Sequence, residues 1–592
     1  MLQYITEKKN YKNLMKFKLN QDNTKLILTE STKGEYNQLK LYLTRKVHNY
    51  RFMKRFKLGV WNGDISYFSD GIINFGLWQE VYQCCKQYGY PFIIENKEQF
   101  PRNNAITRDQ VQDFVNEFYK DHKTPDGKNF IPYEHQVDAI FQLLKYQYGL
   151  VEIATAGGKS LVFGTLLFYY LTHIDPTSKF LLIVPSISLV TQFYNDLGDY
   201  NYGFLSDNKS PLDIRIDEVM SDKPRKYREE EKKPNIYIGT YQSLEKYPRE
   251  WFRQFTVVAC DEAHTAKANT LIEILTKTFG SAKIRFGMSG SYPSDSSVEI
   301  LTIQSLLGPK LINISAKKLI DKGLISDLKV KAVLLHHENH KFAEGVYNIK
   351  KRGDGKAAYD LEREYIHNSV KRKVFIKNLV DKFKQNSLIL FHTIVYGTEL
   401  YNYIKDNCVG KDAYYIDGST STEKREYIKK QMEITSGNPK ILIASFGVFS
   451  TGVSVKAITN IVFADSFKEP KIIRQAIGRG LRLHAEKTKL IVFDIVDVFH
   501  ADFKTLKHHS DFNVGAFSVN PKMMAESIKK FMPDFEITYK PDFRQEIADS
   551  WPNSIDDTAA REEWNWKHSF DLDTMTQDML KVIGEKHKNG LI

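Results

Sequence analysis

The chain contains 592 residues, of which 42% are hydrophobic and 26% charged, a composition that is typical of globular proteins and excludes a disordered one. It has no run near the roughly eighteen apolar residues of a membrane span and no apolar signal region at its start, so we expect a soluble, intracellular protein. The formal net charge of +12 favours a polyanionic partner. The four cysteines lack the paired spacing of a zinc site or a disulfide framework, and the length predicts about three or four domains.

Much of the positive charge lies at the N-terminus, where residues 1–60 contain 14 Lys or Arg and only 4 Asp or Glu. Short alternating runs predict a small α+β module at residues 1–96. In this module Lys54, Arg55 and Lys57 lie near aromatic residues that include Trp61. Basic and aromatic side chains together can contact phosphates and stack on unpaired bases, so these four residues are predicted to bind nucleic acid. The alternative is that the aromatic residues form the core of the module and the basic residues a solvated face.

A polar segment at residues 97–130 predicts a linker, and a strand, a turn and a helix follow it. The apolar run Leu150–Ile153 leads into the sequence ATAGGKS at Ala154–Ser160 and then into an apolar helix. A nucleoside triphosphate needs backbone N–H groups at a helix N-terminus, a cation, and a hydroxyl for its metal. Four residues supply these groups: Gly157, Gly158, Lys159 and Ser160. Ala156 stands where many such loops have a glycine, so this motif alone is a weak signal.

An acidic pair follows a second buried strand in the sequence VVACDEAH, at Val257–His264. Strands of α/β sheets bind ligands at their carboxyl ends, so the two carboxylates are placed at a binding edge. We expect Asp261, together with Ser160, to hold Mg²⁺, and Glu262 to orient a water molecule. The alternative is that the pair only caps a helix N-terminus.

Two further strands end in small polar residues. Pro185 and Ser186 follow one of them, and Thr240, Gln242 and Ser243 follow the other. Hydroxyls and amides at such positions can bond a phosphodiester backbone without reading bases, although helix capping is an equally good interpretation. After the acidic pair, the sequence GMSGSYP carries two further hydroxyls, on Ser289 and Ser291.

A second series of strands and helices begins near Ser315 and contains Ser450, Thr451 and Gly452 after a buried strand. It ends in IIRQAIGRGLRLH, in which Gln475, Arg479 and Arg482 have spacings of four and three. These spacings place all three residues on one face of a helix. Arginines that face a bound nucleotide would neutralise charge on its γ-phosphate, as arginine fingers do. An ordinary exposed helix has the same spacing.

The motifs from Ala154 to Arg482 resemble those of the superfamily-two helicases and nucleic-acid translocases, in particular the fork-remodelling helicases of T-even-type phages. The resemblance covers roughly residues 1–505. It implies a site for ATP and Mg²⁺ in which Gln136 reads the adenine edge and Thr155 and Gly452 also line the nucleotide. It implies that six residues or pairs track a nucleic-acid strand: Pro185 with Ser186, Thr240, Gln242, Ser243, Thr393, and Ser450 with Thr451.

The same resemblance implies a monomer that acts in the cytoplasm of an infected bacterium on branched or forked DNA, or on RNA–DNA hybrids. The predicted fold is α/β, with a basic N-terminal module at 1–96, RecA-like domains at 97–314 and 315–505, and a C-terminal appendage at 506–592. An RNA helicase and a non-catalytic nucleic-acid-binding scaffold remain alternatives, because backbone-reading motifs hardly separate the two polymers and the phosphate loop is imperfect.

The C-terminal tail is acidic, since residues 511–592 contain 10 Lys or Arg and 15 Asp or Glu. It resembles the C-terminal part of short-chain-type L-threonine dehydrogenases and related epimerases, through the runs DFRQEIADSW and AREEWNWK. A NAD-dependent dehydrogenase is therefore a further alternative. The tail lacks the glycine-rich fingerprint on an opening strand and helix that such an enzyme needs, so we expect a small helical appendage without catalytic function.

Overall fold

The computed structural model describes residues 14–124, 127–203, 212–219, 233–266, 268–295, 297–337, 339–451, 455–467, 469–484, 487–499, 518–539, 545, 556–564 and 567–588. The chain forms two compact units, Met1–Leu335 with Arg363–Val496, and His336–Glu362 with Asp497–Ile592. Within the described ranges, no helix is both long and apolar enough to cross a membrane.

The N-terminal module is built on a five-stranded, largely antiparallel sheet. Its elements are β1 (Met15–Leu19), β2 (Lys25–Glu30), α1 (Lys33–Tyr42), β3 (Thr44–Lys46), α2 (Lys54–Lys57), β4 (Asp64–Ser66), β5 (Phe68–Ser69), β6 (Ile72–Asn74), α3 (Trp78–Tyr88) and β7 (Phe92–Ile94). The sheet order is β5-β6-β2-β1-β7, and β3 and β4 form a separate pair. Met15, Phe17 and Leu19 alternate with more exposed residues, as a strand with one buried face requires. The predicted α+β module is confirmed.

The segment predicted as a linker contains an ordered helix, α4 (Arg108–Phe118). Thr107 begins it with a capping box, in which its side chain accepts from the Gln110 amide and Gln110 bonds back to the Thr107 N–H. Val111, Phe114 and Val115 are buried on one face of α4 against the first RecA-like core. The polar composition of the segment hid this short amphipathic pattern.

The first RecA-like domain has a seven-stranded parallel sheet. Its elements are α5 (Glu134–Tyr146), β8 (Tyr148–Ile153), α6 (Lys159–His173), β9 (Phe180–Val184), α7 (Ile187–Tyr202), β10 (Ile216–Val219), β11 (Ile236–Thr240), α8 (Tyr241–Leu244), α9 (Arg249–Phe252), β12 (Val257–Cys260), α10 (Asn269–Lys277), β13 (Ile284–Ser289), α11 (Val298–Leu307) and β14 (Lys310–Ile314). The sheet order is β10-β11-β9-β12-β13-β8-β14. Strands β9, β11, β12 and β13 are buried throughout, because helices cover both faces of the sheet.

The second RecA-like domain repeats this plan with a six-stranded sheet. The elements along this part of the chain are α12 (Ala316–Asp321), β15 (Asp327–His336), α13 (His340–Lys351), α14 (Gly355–Asn368), α15 (Val370–Asp381), β16 (Ser387–Phe391), α16 (Ile394–Asn407), β17 (Asp412–Ile416), α17 (Thr422–Glu433), β18 (Lys440–Ser445), α18 (Phe446–Thr451), β19 (Asn460–Phe463), α19 (Pro470–Gly480) and β20 (Lys489–Val498). The order is β15-β20-β19-β16-β18-β17, and β16 to β20 pair in parallel. Two tandem RecA-like domains were predicted, and they are confirmed.

The second compact unit is helical. Its described residues form α13, the first part of α14, and, in the tail, α20 (Pro521–Phe531), α21 (Thr558–Trp564) and α22 (Leu572–Lys588). The Ser527 hydroxyl donates to Asp573 at 2.7 Å and thereby joins α20 to the start of α22. The predicted helical character of the appendage is confirmed.

The N-terminal module and the first RecA-like domain share a hydrophobic core. Tyr148 and Leu301 of the RecA-like domain are buried in the same cluster as the core of the module. The Tyr67 hydroxyl donates to the main-chain oxygen of Val298 at 2.9 Å. A Cβ at Gly76 would lie 2.0 Å from the main-chain oxygen of Gln304, so only glycine allows the two backbones to approach this closely. The module is therefore an integral extension of the first core.

Candidate active site and nucleic-acid interface

The predicted phosphate loop lies at the carboxyl end of β8, and α6 begins at Lys159 directly after it. Gly158 caps this helix with φ +85°, a conformation that favours glycine. Ala156 also has a left-handed backbone, with φ +70°, at a cost of roughly 1–2 kcal/mol for a residue with a Cβ. Lys159 Nζ donates to the main-chain oxygen of Ile153 at 3.4 Å. The loop thus has the helix N-terminus and the cation that bind a triphosphate.

Two side chains of α5 contact the main chain of the phosphate loop. Gln136 Nε2 donates to the main-chain oxygen of Gly157 at 3.1 Å, and His135 Nε2 lies 2.9 Å from the same oxygen. Gln136 Oε1 accepts from the Tyr133 N–H at 2.7 Å. Gln136 is therefore next to the phosphate loop, and its side-chain amide contacts the loop main chain, while its role in reading the adenine edge stays a prediction.

Ser160, the predicted metal ligand of α6, forms a hydrogen bond with α7. Its Oγ lies 2.9 Å from the hydroxyl of Tyr200. Asp196 is on the same helix, one turn earlier; burial raises the pKa of its carboxyl, while the Ser160 hydrogen bond and the charge of Arg482 act in the opposite direction. The first turn of α6, helix α7 and Arg482 of the second RecA-like domain are therefore close to one another.

The acidic pair follows β12, and in the sheet β13 separates this strand from β8, which leads into the phosphate loop. Glu262 has φ +47°, and its Oε2 lies 3.1 Å from His264 Nδ1. His264 Nδ1 also lies 2.7 Å from Ser289 Oγ, which in turn donates to the main-chain oxygen of Ser291 at 2.8 Å. This chain of contacts connects the acidic pair to the hydroxyl motif after β13. Hydrogen bonds thus connect the acidic pair to Ser289 and Ser291, the two hydroxyl residues that follow it in the sequence.

The two acids have opposite shifts in pKa. Burial and the neighbouring charge of Glu262 raise the pKa of Asp261. Burial also acts to raise the pKa of Glu262, but the His264 hydrogen bond and the charges of Lys159 and Arg479 outweigh it and hold the pKa below its usual range. Glu262 is therefore the carboxylate that stays ionised, which suits a group that orients a water molecule by accepting its hydrogen bond.

Asp261 has the properties of a metal ligand. It is 5% exposed, and among the described residues its Oδ1 has no hydrogen-bond partner. A buried carboxylate oxygen without a partner is costly unless a cation binds it. The donor set of a carboxylate and a serine hydroxyl suits Mg²⁺, which prefers oxygen ligands, so the residues present fit this ion.

The predicted arginines approach this site from the second RecA-like domain. A Cβ at Gly478 would lie 2.5 Å from Thr155 Cβ, so α19 is in close contact with the phosphate loop. Arg479 is 9% exposed; burial and the charge of Arg482 lower its pKa to about 10, while Glu262 and Asp261 act to raise it. Arg479 is therefore charged at neutral pH and within electrostatic reach of both acids.

One detail of the arginine motif differs from the prediction. Helix α19 ends at Gly480, so Gln475 and Arg479 lie on the helix but Arg482 lies two residues beyond its end. The three residues do not share one helical face. Glycines at 478 and 480 weaken the last turn, and the chain leaves the helix at Leu481. Arg482 instead points toward α7, where the charges of Asp196 and Tyr200 act on it.

The predicted strand-tracking residues lie at the carboxyl ends of the two sheets. In the first domain, Pro185 and Ser186 follow β9, and Thr240, Gln242 and Ser243 follow β11. Thr240 Oγ1 accepts from the Ser243 N–H at 3.3 Å, so the capping interpretation holds for this residue. Gln242 is exposed, and Ser186 is half-buried. These positions form one edge that remains accessible to a ligand.

In the second domain, Thr393 begins α16, and its N–H donates to Asp465 Oδ2 at 3.2 Å. Asp465 also accepts from the His392 N–H and lies 3.2 Å from His367 Nε2, so it fixes the start of this helix. Ser450 and Thr451 end α18, whereas Gly452 lies outside the described residues.

The basic cluster of the N-terminal module forms an exposed tip. Lys54, Arg55 and Lys57 on α2 are exposed, and the indole N–H of Trp61 donates to the main-chain oxygen of Asp64 at 2.8 Å. Apolar side chains beside them are also exposed: Phe52 by 77%, Met53 by 40%, Leu58 by 64% and Val60 by 72%. The alternative, in which all the aromatics form the core, is wrong for Phe52. Apolar residues surrounded by basic ones mark a binding surface.

Three site residues were missed at the level of sequence. Tyr200 contacts Ser160, His264 contacts Glu262, and Tyr292 has a buried hydroxyl on which both acids act electrostatically. His264 and Tyr292 adjoin predicted motifs, so their positions were a usable signal. Tyr200 lies 40 residues from its partner, and no local pattern indicates the contact.

Comparison with known families agrees with this geometry. The DEAD/DEAH box helicase family matches residues 133–299, which include the phosphate loop and the acidic pair. The helicase conserved C-terminal domain matches residues 370–484, which include both arginines. The chain therefore carries a DEAD/DEAH box helicase domain and a helicase conserved C-terminal domain, which meet at the phosphate loop, and it is a nucleic-acid-dependent ATPase of the helicase class.

Its relatives include the ATP-dependent DNA helicase UvsW of Enterobacteria phage T4, which is 29% identical over 468 residues, 78% of this chain and 87% of the phage protein. The crystal structure of T4 UvsW has a TM-score of 0.42 and 25% identity, over 82% of this chain and 90% of that one.

The tail has different relatives. It is 43% identical over 95 residues to an uncharacterized epimerase/dehydratase of Staphylococcus saprophyticus, and 39% identical over 104 residues to the mitochondrial L-threonine 3-dehydrogenase of Sus scrofa. These matches cover 16% of this chain, and they cover only 30% and 28% of the two proteins, respectively. The predicted resemblance of the tail is confirmed as a partial one.

Proposed function

We propose that the chain is an ATP-driven DNA helicase or translocase that remodels branched DNA, such as forks, four-way junctions and RNA–DNA loops, in the cytoplasm of a phage-infected bacterium. The observation that carries the proposal is the contact between α19 and the phosphate loop. Gly478 lies against Thr155, and Arg479 is within reach of both acids. A site completed by two domains couples hydrolysis to their relative movement.

The residues divide the chemical work as follows. Lys159 leaves the Ile153 oxygen to contact the phosphates, and ionised Glu262 accepts a proton from the attacking water. Arg479 and Arg482 neutralise the charge that develops on the γ-phosphate, and Gln475 contacts the nucleotide beside them. When bound, Mg²⁺ supplies charge neutralisation and would be held by Ser160 and Asp261.

The choice of DNA rests on two observations. The similar phage T4 protein is described as an ATP-dependent DNA helicase. The N-terminal tip combines three exposed basic residues with exposed apolar ones, among them Phe52 and Val60. Cations attract the backbone, while apolar side chains can stack on bases that are unpaired at a junction. Branched DNA offers both features at one point.

ATP hydrolysis by the full chain tests the proposal, with single-stranded, duplex, forked and RNA–DNA substrates of equal length. We expect stimulation by all DNA forms and the largest stimulation by forked DNA. Preference for single-stranded RNA would favour an RNA helicase, and absence of stimulated hydrolysis would favour a binding scaffold. Turnover of threonine with NAD would favour a dehydrogenase, against the expectation that the tail lacks a cofactor site.

A charge-removal experiment tests the tip. Replacement of Lys54, Arg55 and Lys57 by alanine should weaken binding to forked DNA and retain ATPase activity without DNA. The slope of log affinity against log salt concentration should become shallower by about three, because about three fewer counterions are released on binding. The matched control removes three exposed lysines elsewhere, Lys317, Lys318 and Lys424. Equal affinities and salt slopes for the two triple variants would show that the tip does not bind DNA.

A further inference from the structure

Lys487 is a buried cation that the proposed mechanism does not use. Its side chain lies at the C-terminal end of α19 and is 4% exposed. Its Nζ donates to the main-chain oxygens of Lys456 and Arg482, both at 3.1 Å, and to that of Gly480. An ammonium group has three N–H donors, and here main-chain oxygens accept from all three.

Two of the three acceptors belong to the arginine motif. Gly480 is the last residue of α19, and helix ends leave main-chain oxygens without partners inside the helix. Arg482 lies beyond the helix, so no helical hydrogen bond fixes its backbone. Ser326 adds two contacts, since its N–H donates to the Leu481 oxygen at 2.8 Å and its hydroxyl donates to the Arg482 oxygen at 3.4 Å. The ammonium of Lys487 adds a positive charge to these oxygens and, unlike Ser326, joins the Gly480 and Arg482 oxygens to each other, as cations do at helix C-termini.

The third acceptor belongs to a different motif. Lys456 and Ala457 follow the segment that begins with Ser450 and Thr451, which are predicted to contact nucleic acid. Glu433 holds this loop from the other side, since its carboxylate accepts from the Lys456 N–H at 2.7 Å and the Ala457 N–H at 3.3 Å. Lys487 therefore joins the loop after the nucleic-acid motif to the end of the arginine helix.

We propose that Lys487 is a positioning residue for the reaction, which fixes Arg482 relative to the main chain at Lys456, after the predicted nucleic-acid motif of the second domain. It acts through main-chain oxygens and does not itself touch the nucleotide. The proposal rests on the proposed function, because it assigns a role in coupling nucleic-acid binding to ATP hydrolysis. If Lys487 is lost, Arg482 and the loop move independently, and stimulated turnover falls.

The protonation of Lys487 gives a way to observe this role. Burial lowers its pKa to about 8, and the charge of Glu433 acts to raise it. Among the described residues, the titratable side chains of Lys384 and His484 line the same small cavity of about 30 Å³ as Lys487, while Arg482 and Lys456 face it with their main-chain oxygens. The neutral amine has only two N–H donors, so above pH 8 one of the three oxygens loses its partner. Stimulated turnover should therefore decline as the pH rises through about 8.

The experiment compares Lys487→Met and Lys487→Arg with wild type in the full chain. Met keeps the length of the side chain but removes its donors. We expect it to lower the DNA-stimulated kcat by ten- to a hundredfold, with KM for ATP and affinity for DNA changed by less than threefold. Lys487→Arg should recover most of the loss and move the alkaline decline to higher pH, because the guanidinium stays charged. Lys489→Met, two residues further along at an exposed position, is the matched control.

Two results would overturn the proposal. One is a Lys487→Met variant with a stimulated kcat within twofold of wild type. The other is a Lys487→Arg variant that is folded, is active, and keeps the wild-type alkaline decline, which decides the question even where the Met variant does not fold. Failure of wild type to hydrolyse ATP in response to DNA would refute the proposed function instead.

Discussion

The hydroxyl of Tyr200 lies 2.9 Å from Ser160 Oγ, so the serine that we propose as a metal ligand is engaged by the protein itself. Binding of the metal requires this hydrogen bond to break, and such bonds contribute about 0.5–1.5 kcal/mol net. We therefore expect Tyr200→Phe to bind ATP with magnesium up to about tenfold more tightly, as measured by titration with a fluorescent ATP analogue. Tyr194→Phe, an exposed tyrosine on the same helix, should not change the affinity. Unchanged affinity in Tyr200→Phe would mean that the two interactions do not compete.

Glu262→Gln should abolish stimulated hydrolysis while ATP binding is retained. The amide keeps the shape of the side chain but cannot accept a proton from water, a role that contributes about a hundred- to ten-thousandfold in rate. Rates of phosphate release with forked DNA, and ATP affinity in the same preparations, test this expectation. Glu250→Gln, at an exposed position of α9, is the control. Near-normal turnover in Glu262→Gln would remove Glu262 from the mechanism.

Arg479→Ala and Arg482→Ala should lower turnover much more than ATP affinity. Loss of a charge that acts on the γ-phosphate during transfer costs on the order of a thousandfold or more. Arg474→Ala, at an exposed position on the same helix, should retain activity. Single-turnover rates at saturating ATP separate the two effects. A loss below about tenfold in the Arg479 variant would leave this residue only a structural role.

The thiols of Cys84 and Cys85 report on the stability of the N-terminal module. Burial raises their pKa values to about 11 and about 12, from an ordinary value of 9. Above pH 9 the unfolded thiols lose protons that the folded ones keep, so stability is lost as the pH rises, by about 1.4 kcal/mol per thiol and pH unit up to about 11. We expect slow alkylation of both thiols at pH 8, and a urea midpoint for their labelling that falls above pH 9.

The variant in which both of these cysteines are alanine is the control for the alkaline loss of stability. Its unfolding, followed by tryptophan fluorescence, should depend less on pH between 9 and 11 than that of wild type. Rapid alkylation of Cys84 in the native protein at pH 8, at the rate of the urea-unfolded chain, would contradict the burial of this thiol.

The sequence predicted the elements that have strong local signals. Buried strands such as β9 and β12 are continuous apolar runs, and the phosphate loop and acidic pair follow their strands directly. Helix α4 was missed although Thr107, Gln110 and the spacing of Val111 and Phe114 indicate it, because polar residues dominate that segment. The end of α19 was placed too late, since spacing alone does not show where glycines stop a helix.

Local sequence patterns could not predict contacts between distant parts of the chain. Tyr200 of α7 meets Ser160 within the first RecA-like domain, and Lys487 meets the main chain of Lys456 within the second, so only the tertiary packing inside each domain brings these partners together. The exposed apolar side chains of the tip, such as Leu58, were likewise not predicted. Apolar residues are expected in a core, and exposure of several of them is decided by tertiary structure.

The close approach of Gly76 to the Gln304 oxygen and the Tyr67 hydrogen bond to Val298 fasten the N-terminal module to the first RecA-like domain. We therefore expect DNA bound at the proposed tip and ATP bound at the phosphate loop to be held by the same body, so that a movement of the second domain changes its position relative to both. The same contacts make the module difficult to exchange between homologous helicases. A functional hybrid would have to inherit residues 298–305 of α11 together with the module that packs on them.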